Sequence, residues 1–227
     1  MNNLVTKQNL AIFDLDNTLL AGDSDFQWGQ FLIGEGLLNR EEHHDRNVQF
    51  HEDYKRGELD INAFLAFQLK HLSEHKRTFL DQLHLKYMDK VICPMITNKA
   101  RALVEKHRAK GDLMMIITAT NSFITNPIAT ELGIEYLIGT EPEQKDGEFT
   151  GGVTGVPSFQ EGKVTRLNEW LEARGEKLAD YPLSYFYSDS QNDLPLMKQV
   201  TNPVAVDPDA TLTAYAKRHS WPIITLR

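Results

Sequence analysis

Short segments that are apolar at nearly every position recur along the chain and predict strands buried on both faces of a sheet. Between these segments, apolar residues at helical spacing predict helices. Because strands and helices alternate, the pattern predicts an α/β fold with a doubly wound parallel sheet. The predicted strands are 10–13 (LAIF), 113–117 (LMMII), 134–138, 183–187 (LSYFY) and 203–206, and the predicted helices are 96–110, 122–132, 162–174, 192–200 and 209–219.

The alternation is interrupted after the first strand. Residues 20–94 contain four helical stretches, at about 23–34, 40–56, 61–72 and 76–90, and no strand-like segment. We therefore expect two parts, an α/β core formed by 1–19 and 95–227 and a helical cap formed by 20–94. Residues 141–161 are rich in Gly, Pro and charge, which favours a loop or a small hairpin around Gly147.

Polar residues follow three of the predicted strands. Asp14, Thr118 and Asp189 lie at or just beyond the carboxyl ends of their strands, where parallel α/β sheets bind ligands. Asp16 points to the same side as Asp14 on an extended backbone, and Asp193 follows Asp189 by about one helical turn. Each aspartate alone is compatible with a helix cap or a turn. Together the carboxylates would repel one another unless a cation separates them, and oxygen-rich sites suit Mg²⁺.

Composition narrows the possible partners. The 227 residues carry a formal net charge of −8, so a general nucleic-acid surface is not expected. The single cysteine, Cys93, excludes an intramolecular disulfide and a cysteine-rich zinc site. We find no leader and no apolar stretch of the roughly 20 residues that a spanning helix needs, so we expect a cytoplasmic protein without membrane association. The sequence leaves the oligomeric state open.

Four motifs together point to a family. The sequence DLDNT at 14–18, Thr118, Lys163 and DSQND at 189–193 resemble the four motifs of haloacid dehalogenase-type phosphatases, in the same order and over nearly the whole chain. The helical insertion resembles the cap of the phosphoserine-phosphatase-like and histidinol-phosphatase-like branch. One departure is Ser188, where many relatives have glycine, and we expect it to loosen or shift the backbone there.

The resemblance implies catalytic and metal-binding roles for the aspartates. Asp14 would be the nucleophile that forms an aspartyl-phosphate. Asp16 would protonate the leaving alcohol and then activate water. Mg²⁺ would be bound by the carboxylates of Asp14 and Asp189 and by the backbone carbonyl of Asp16, with Asp193 supporting the metal.

The resemblance also implies groups that hold the substrate. Thr118 would donate its hydroxyl to a phosphoryl oxygen, and Lys163 would neutralise the phosphate and the nucleophile. Asn192 would also contact the phosphate. Asp23, nine residues after Asp14, is compatible with binding a substrate cation and equally with capping the helix that follows.

Two other patterns have ordinary explanations. The segment HLSEH at 71–75 matches the HxxEH pattern of zinc peptidases, but no third ligand is evident and an exposed helix explains it. Phe26, Trp28 and Phe31 could face a ligand, although a core-facing stripe is more usual.

The resemblance therefore implies a Mg²⁺-dependent hydrolase of a small metabolite phosphate, of the kind found in amino-acid biosynthesis. Because no arginine clearly serves a substrate carboxylate and Asp23 is acidic, a cationic substrate such as histidinol phosphate is favoured over phosphoserine. Transfer of the phosphoryl group to an alcohol acceptor is a second possibility. A Mg²⁺-binding regulatory module without turnover is a third, although the intact Asp16 and Lys163 argue against it.

Overall fold

The structure is a computed structural model that describes residues 8–227, so the first seven residues of the predicted core lie outside the described residues. Its centre is a seven-stranded sheet with the strand order β4-β3-β2-β1-β5-β6-β7. All neighbours pair in parallel except β3 and β4. The strands are β1 (Leu10–Phe13), β2 (Leu113–Asn121), β3 (Tyr136–Lys145), β4 (Glu148–Thr154), β5 (Ser184–Ser188), β6 (Asn202–Val206) and β7 (Ile223–Ile224).

The predicted doubly wound α/β fold is confirmed, with additions at both edges of the sheet. The expected loop or hairpin at 141–161 is a hairpin of β3 and β4 that turns at Asp146 and Gly147, both with positive φ. β7 was not predicted, because it contains only Ile223 and Ile224 and neither residue is buried. β2 continues beyond the predicted end at residue 117 to Asn121.

Alternation along β1 explains why this strand lies at the centre. All four of its residues are buried. Ala11 and Phe13 belong to the hydrophobic cluster on one face of the sheet, and Leu10 and Ile12 belong to the cluster on the other. An entirely apolar strand therefore satisfies both faces, as the central position of a parallel sheet requires.

The helices agree with the predicted pattern to within a few residues, except that the stretch 192–200 contains only a short helical turn. Most segments that connect parallel strands contain a helix, and six helices lie between β1 and β2, of which the first four precede the predicted return to the core. We call these four, α1 to α4, the helical insertion. The helices are α1 (Ser24–Gly34), α2 (Arg40–Arg56), α3 (Ile61–Ser73), α4 (Arg77–Tyr87), α5 (Cys93–Met95), α6 (Asn98–Ala109), α7 (Ser122–Glu131), α8 (Glu161–Ala173), α9 (Leu194–Met197) and α10 (Ala210–Arg218).

The helical insertion shares its apolar core with one face of the sheet. Trp28, Leu69 and Tyr87 belong to the same cluster as Phe13 of β1. The Trp28 and Tyr87 rings meet edge to face at 5.1 Å, so Trp28 is a core residue. Burial of each such side chain stabilises the fold by about 1.5–3 kcal/mol. The division into a core and a cap at 19/20 and 94/95 stays a prediction. Within residues 8–227, no helix combines the length and the apolar character needed to cross a membrane.

Two imidazole rings are buried inside the helical insertion, and each has at least one ring nitrogen without a hydrogen bond to any residue that the structure describes. The rings of His43 on α2 and His71 on α3 lie 5.1 Å apart, and both side chains are buried. In the described part of the chain, both nitrogens of His43 and Nε2 of His71 have no hydrogen-bond partner. Burial lowers the pKa of His43 and lowers that of His71 to about 3. The HxxEH segment therefore contributes a neutral core histidine.

We predict that His71 weakens the fold as the solution becomes acidic. Above the usual pKa of about 6.5 the imidazole is neutral in both states and adds no pH dependence. As the pH falls from about 6.5 to 4, only the unfolded chain is protonated at this position, which lowers the unfolding free energy by about 1.4 kcal/mol per pH unit. The unfolding free energies of the wild type and His71→Leu are measured by urea denaturation between pH 7.5 and 4, each relative to its own value at pH 7.5. The variant should lose less unfolding free energy per pH unit than the wild type. Equal losses in both proteins would contradict a buried neutral His71.

Candidate active site

The carboxyl ends of β1, β2 and β5 surround one site under the helical insertion. After β1 the chain makes a tight turn over Leu15–Leu19, in which Asn17 takes a positive φ of 55°. This turn carries the DLDNT residues between the ends of β2 and β5. Because the three strands are parallel neighbours, their ends deliver Asp14, Thr118 and Ser188 to the same edge.

A buried lysine joins two of the carboxylates. The Lys163 ammonium lies 2.8 Å from Asp14 Oδ1 and 2.7 Å from Asp193 Oδ1, and its side chain is 2% exposed. Although burial opposes the charged amine, Asp14 and Asp193 raise the pKa of Lys163 above its usual range. Lys163 comes from the first turn of α8, so its stem packs within the core while its charge faces the site.

The Thr18 hydroxyl links the nucleophile candidate to the fourth motif. Its oxygen lies 3.0 Å from Asp14 Oδ2 and 3.2 Å from Asp189 Oδ1, and it accepts a hydrogen bond from the Asp189 backbone N–H at 3.1 Å. One hydroxyl proton serves only one of the two carboxylates at a time. Asp14 and Asp189 therefore lie close together, and the single Thr18 hydroxyl does not neutralise the charge of two carboxylates.

The electrostatics of these two carboxylates fit a bound cation. Burial raises the pKa of Asp14 to about 6, even though Lys163 favours its charged form. Burial, followed by repulsion from Asp14, raises the pKa of Asp189 well above its usual range. Among the residues that the structure describes, no group of three or more His, Cys, Asp or Glu side chains is arranged to hold a metal. A magnesium ion here would have two carboxylate ligands, with carbonyl and water oxygens completing its preferred octahedron.

Asp16 is held separately from the lysine. Its Oδ1 accepts a hydrogen bond of 2.6 Å from the Ser24 backbone N–H at the start of α1, and its Oδ2 accepts one of 2.8 Å from the Thr120 hydroxyl. Burial and repulsion from Asp23 raise the pKa of Asp16 to about 7, partly offset by the hydrogen bond from Ser24. A carboxyl group with this pKa can give and take a proton near neutral pH.

The other sequence-predicted residues occupy different positions around the site. Thr118 is buried, and its hydroxyl is 3.4 Å from Asp16 Oδ2. Asn192 donates to the Tyr54 carbonyl of α2 at 2.9 Å, so it connects the core to the helical insertion. Asp193 binds Lys163, and a phosphate-facing role for Asn192 and a metal-supporting role for Asp193 stay predictions.

The expected loosening at Ser188 is not what the structure shows. The Ser188 hydroxyl donates to Asp193 Oδ2 at 2.7 Å and accepts from the Ser190 backbone N–H at 3.1 Å. A glycine at this position would provide neither bond. The serine therefore fixes the fourth motif and the carboxylate that holds Lys163.

The structure shows Asp23 in the capping role that the sequence left open, and its binding of a substrate cation stays a prediction. Its Oδ1 accepts hydrogen bonds from the backbone N–H groups of Asp25 and Phe26 at 3.0 and 2.9 Å, which makes it the N-cap of α1. Its Oδ2 lies 3.5 Å from His51 Nδ1. One oxygen thus caps the helix while the other remains on the side of the pocket.

A pocket extends from Asp14 and Asp16 into the space between the sheet and the helical insertion. Its far wall contains two carboxylates and three phenylalanine rings, and the described residues that line it include no lysine or arginine. Arg46 lies over the Phe50 ring outside it, and Arg56 pairs with Asp53 and Glu58. The residues that line this pocket include Asp23, Asp25, Phe26, Phe50, Phe64 and Gln68.

Several supporting contacts could not be found from the motifs. Thr120 binds Asp16 from two residues beyond the motif threonine. Arg227 donates to the backbone carbonyls of Asn17 and Thr18, which stabilises the turn after β1. Only the alternation of side chains along β2 could have indicated Thr120, because residues 118 and 120 share one side of the strand.

Comparisons with known proteins show which family and which fold the chain resembles. The family model described as haloacid dehalogenase-like hydrolase matches residues 11–198. The chain is 47% identical to the histidinol-phosphatase of Neisseria meningitidis serogroup C (strain 8013) over 97% of this chain and 100% of that protein. A crystal structure of a protein of unknown function from Bordetella pertussis Tohama I superposes with a TM-score of 0.91 and 45% identity, covering 96% of this chain and 99% of that one. A phospho-aspartyl intermediate analogue of phosphoserine phosphatase has the same fold, with a TM-score of 0.70 and 18% identity over 97% and 94% of the two chains.

We predict that Lys163 is required for stability as well as for charge. Lys163→Met leaves Asp14 and Asp193 buried without their cation, so the unfolding free energy at pH 8 without divalent ions should fall by about 3–5 kcal/mol. Urea denaturation measures this loss. Lys106→Met, on the exposed side of α6, is the matched control and should change stability by less than about 0.5 kcal/mol. A loss at Lys163 no larger than that of the control would contradict the buried ion pairs.

Proposed function

Because the chain belongs to the haloacid dehalogenase-like hydrolases and is a phosphatase of that family, we propose that it hydrolyses histidinol phosphate with Mg²⁺ through a phosphorylated Asp14. One observation carries the choice of substrate. The pocket beyond Asp16 is lined by Asp23 and Asp25, with no lysine or arginine among the described lining residues. A leaving alcohol with positive charge is attracted there, whereas the carboxylate of phosphoserine is repelled.

The two ends of the proposed site bind groups of opposite charge. A phosphomonoester carries about −1.5 to −2 charges near neutral pH. Lys163 is the buried cation beside Asp14. A Mg²⁺ ion held by Asp14, Asp189 and the Asp16 carbonyl would supply further positive charge for the phosphoryl oxygens. The leaving alcohol then extends toward the acidic wall. This polarity orients the substrate before any bond changes.

The first chemical step transfers the phosphoryl group to Asp14. A carboxylate oxygen of Asp14 forms a bond to phosphorus while the bond from phosphorus to the ester oxygen breaks. Asp16 gives its proton to that departing oxygen, since its pKa of about 7 keeps a useful fraction of the group protonated. Thr18 hydrogen-bonds to Asp14 and limits its rotation.

The second step releases inorganic phosphate. Asp16, now ionised, takes a proton from water, and the water oxygen bonds to phosphorus as the bond to Asp14 breaks. The Thr120 hydroxyl and the Ser24 N–H hold Asp16 in the same place for both steps. The same carboxyl group therefore serves first as acid and then as base.

We predict a strong preference in a panel of phosphate esters assayed with Mg²⁺. Histidinol phosphate should be hydrolysed with a kcat/KM at least about 100-fold above that of phosphoserine, because only the latter places a carboxylate against the acidic wall. Chelator should abolish turnover, and Asp14→Asn should lower kcat by about 10³-fold or more. Asp45→Asn, an exposed change on α2, is the control and should keep wild-type rates. Faster hydrolysis of phosphoserine would overturn the proposed substrate.

We predict that Asp16→Asn separates the two steps. With p-nitrophenyl phosphate, whose leaving group needs no proton, the variant should release about one equivalent of p-nitrophenol in a burst and then slow by about 10²-fold or more, because the base for the second step is missing. With histidinol phosphate no burst of the alcohol should appear. Rapid-quench measurements check both. Unchanged steady-state rates for both esters would contradict the assigned acid and base.

A further inference from the structure

A buried carboxylate in the deep part of the pocket is not used by the chemistry above. Asp25 lies in the first turn of α1 and is 4% exposed, yet it lines the pocket. Within residues 8–227, it makes no ion pair with a lysine, arginine or histidine among those that the structure places. Burial, then the charges of Asp23 and Asp16, raise its pKa well above the usual range. A buried carboxylate whose partners are amide groups alone is costly to ionise, so a ligand with a strong donor would stabilise its charged form.

The side chains around Asp25 fix its position without using its full capacity. Asn121 Nδ2 is 3.4 Å from Asp25 Oδ1, a long hydrogen bond. Asn121 is itself held, because its Oδ1 caps α7 by accepting from the Ile124 N–H at 3.2 Å. Gln68 donates to Asn47 at 3.3 Å and also hydrogen-bonds to Asp25, which favours the charged form of that carboxyl group. A carboxylate offers about four lone-pair directions, so Asp25 retains room for a stronger donor.

Three carboxylates that line the pocket lie around the start of α1. Asp16 accepts from the Ser24 N–H, Asp23 is the N-cap of the helix and Asp25 lies in its first turn. One Asp23 oxygen is already occupied by the cap of α1. A ligand with two donors can therefore reach Asp23 and Asp25 in the same pocket.

The walls near these carboxylates suit a flat ring. Phe26, Phe50 and Phe64 all line the pocket, and the rings of Phe50 and Phe64 meet edge to face at 5.4 Å. Aromatic walls accept a planar heterocycle, and a carboxylate in the same pocket accepts a hydrogen bond from its ring N–H.

We propose that Asp25 is a specificity-determining residue that accepts a hydrogen bond from the imidazole N–H of the leaving alcohol, while Asp23 pairs with its ammonium group. This inference rests on the proposed function and adds the group that recognises the ring. The leaving alcohol of histidinol phosphate carries both donors, the ammonium group and the ring N–H. Asp25 thereby distinguishes an amino alcohol that carries a heteroaromatic ring from one that lacks it.

The test compares two substrates that differ in the ring. The kcat/KM for histidinol phosphate is divided by that for 2-aminopropyl phosphate, which retains the ammonium group. Asp25→Asn should lower this ratio by about 10-fold to 100-fold, because a hydrogen bond to a charged acceptor is replaced by a neutral one. Asp45→Asn is the control for the same chemical change on an exposed surface and should leave the ratio as in the wild type. Asp25→Ser serves the same comparison if the thermal unfolding midpoint shows that the amide variant is not folded.

The outcomes separate the inference from the function. If the wild type prefers histidinol phosphate but Asp25→Asn keeps the ratio, or lowers both rates equally, Asp25 is only structural and the inference is overturned. If the wild type hydrolyses phosphoserine better than histidinol phosphate, the proposed function fails and the inference fails with it. A ratio that falls in Asp25→Asn but not in Asp45→Asn supports both.

Discussion

The structure depends on keeping several carboxylates buried beside one lysine. Lys163 contacts Asp14 and Asp193 at 2.8 and 2.7 Å, and its charge is what allows both to be placed inside the protein. One cation does not balance the whole site, because Asp189 adds a further negative group close to Asp14. The remaining imbalance is negative charge that a bound cation would offset. It also explains why hydroxyl groups, at Thr18 and Ser188, occupy positions beside the acids.

The parallel sheet makes this concentration of charge possible. The strands β1, β2 and β5 bring polar side chains to the same edge, while most of their apolar residues are buried between the two faces. The apolar cores on the two faces of the sheet therefore offset the free-energy cost of burying acidic groups at this edge. The helical insertion shares one of those cores, so the wall of the pocket is fixed by the same packing that holds the sheet.

Much of the fold and most of the candidate reacting groups could be predicted from the sequence. The strands that carry Asp14, Thr118 and Asp189 are short apolar segments followed by polar residues, which is a local signal. The edge strands β4 and β7 lack that signal because β4 contains only two apolar side chains, Phe149 and Val153, and β7 is only two residues long. The supporting contact of Arg227 could not be predicted, since it depends on where distant parts of the chain meet, whereas the alternation along β2 offered an indirect signal for Thr120. Ser188 shows the same limit: its substitution for glycine indicated a looser backbone, whereas its hydroxyl has partners that only the folded chain provides.

The end of α2 provides a further consequence. At its last turn the Tyr54 and Lys55 carbonyls accept hydrogen bonds from the side chains of Asn192 and Gln191 at 2.9 and 2.8 Å, and the Tyr54 carbonyl also accepts from the Gly57 N–H at 3.0 Å. The fourth motif thus fastens the insertion to the core at the margin of the pocket. Any outward swing of α2 that lets the dephosphorylated alcohol escape must break these two bonds and re-form them with the next molecule. Opening of the pocket at α2 would therefore depend on the same five-residue segment that carries Asp189 and Asp193.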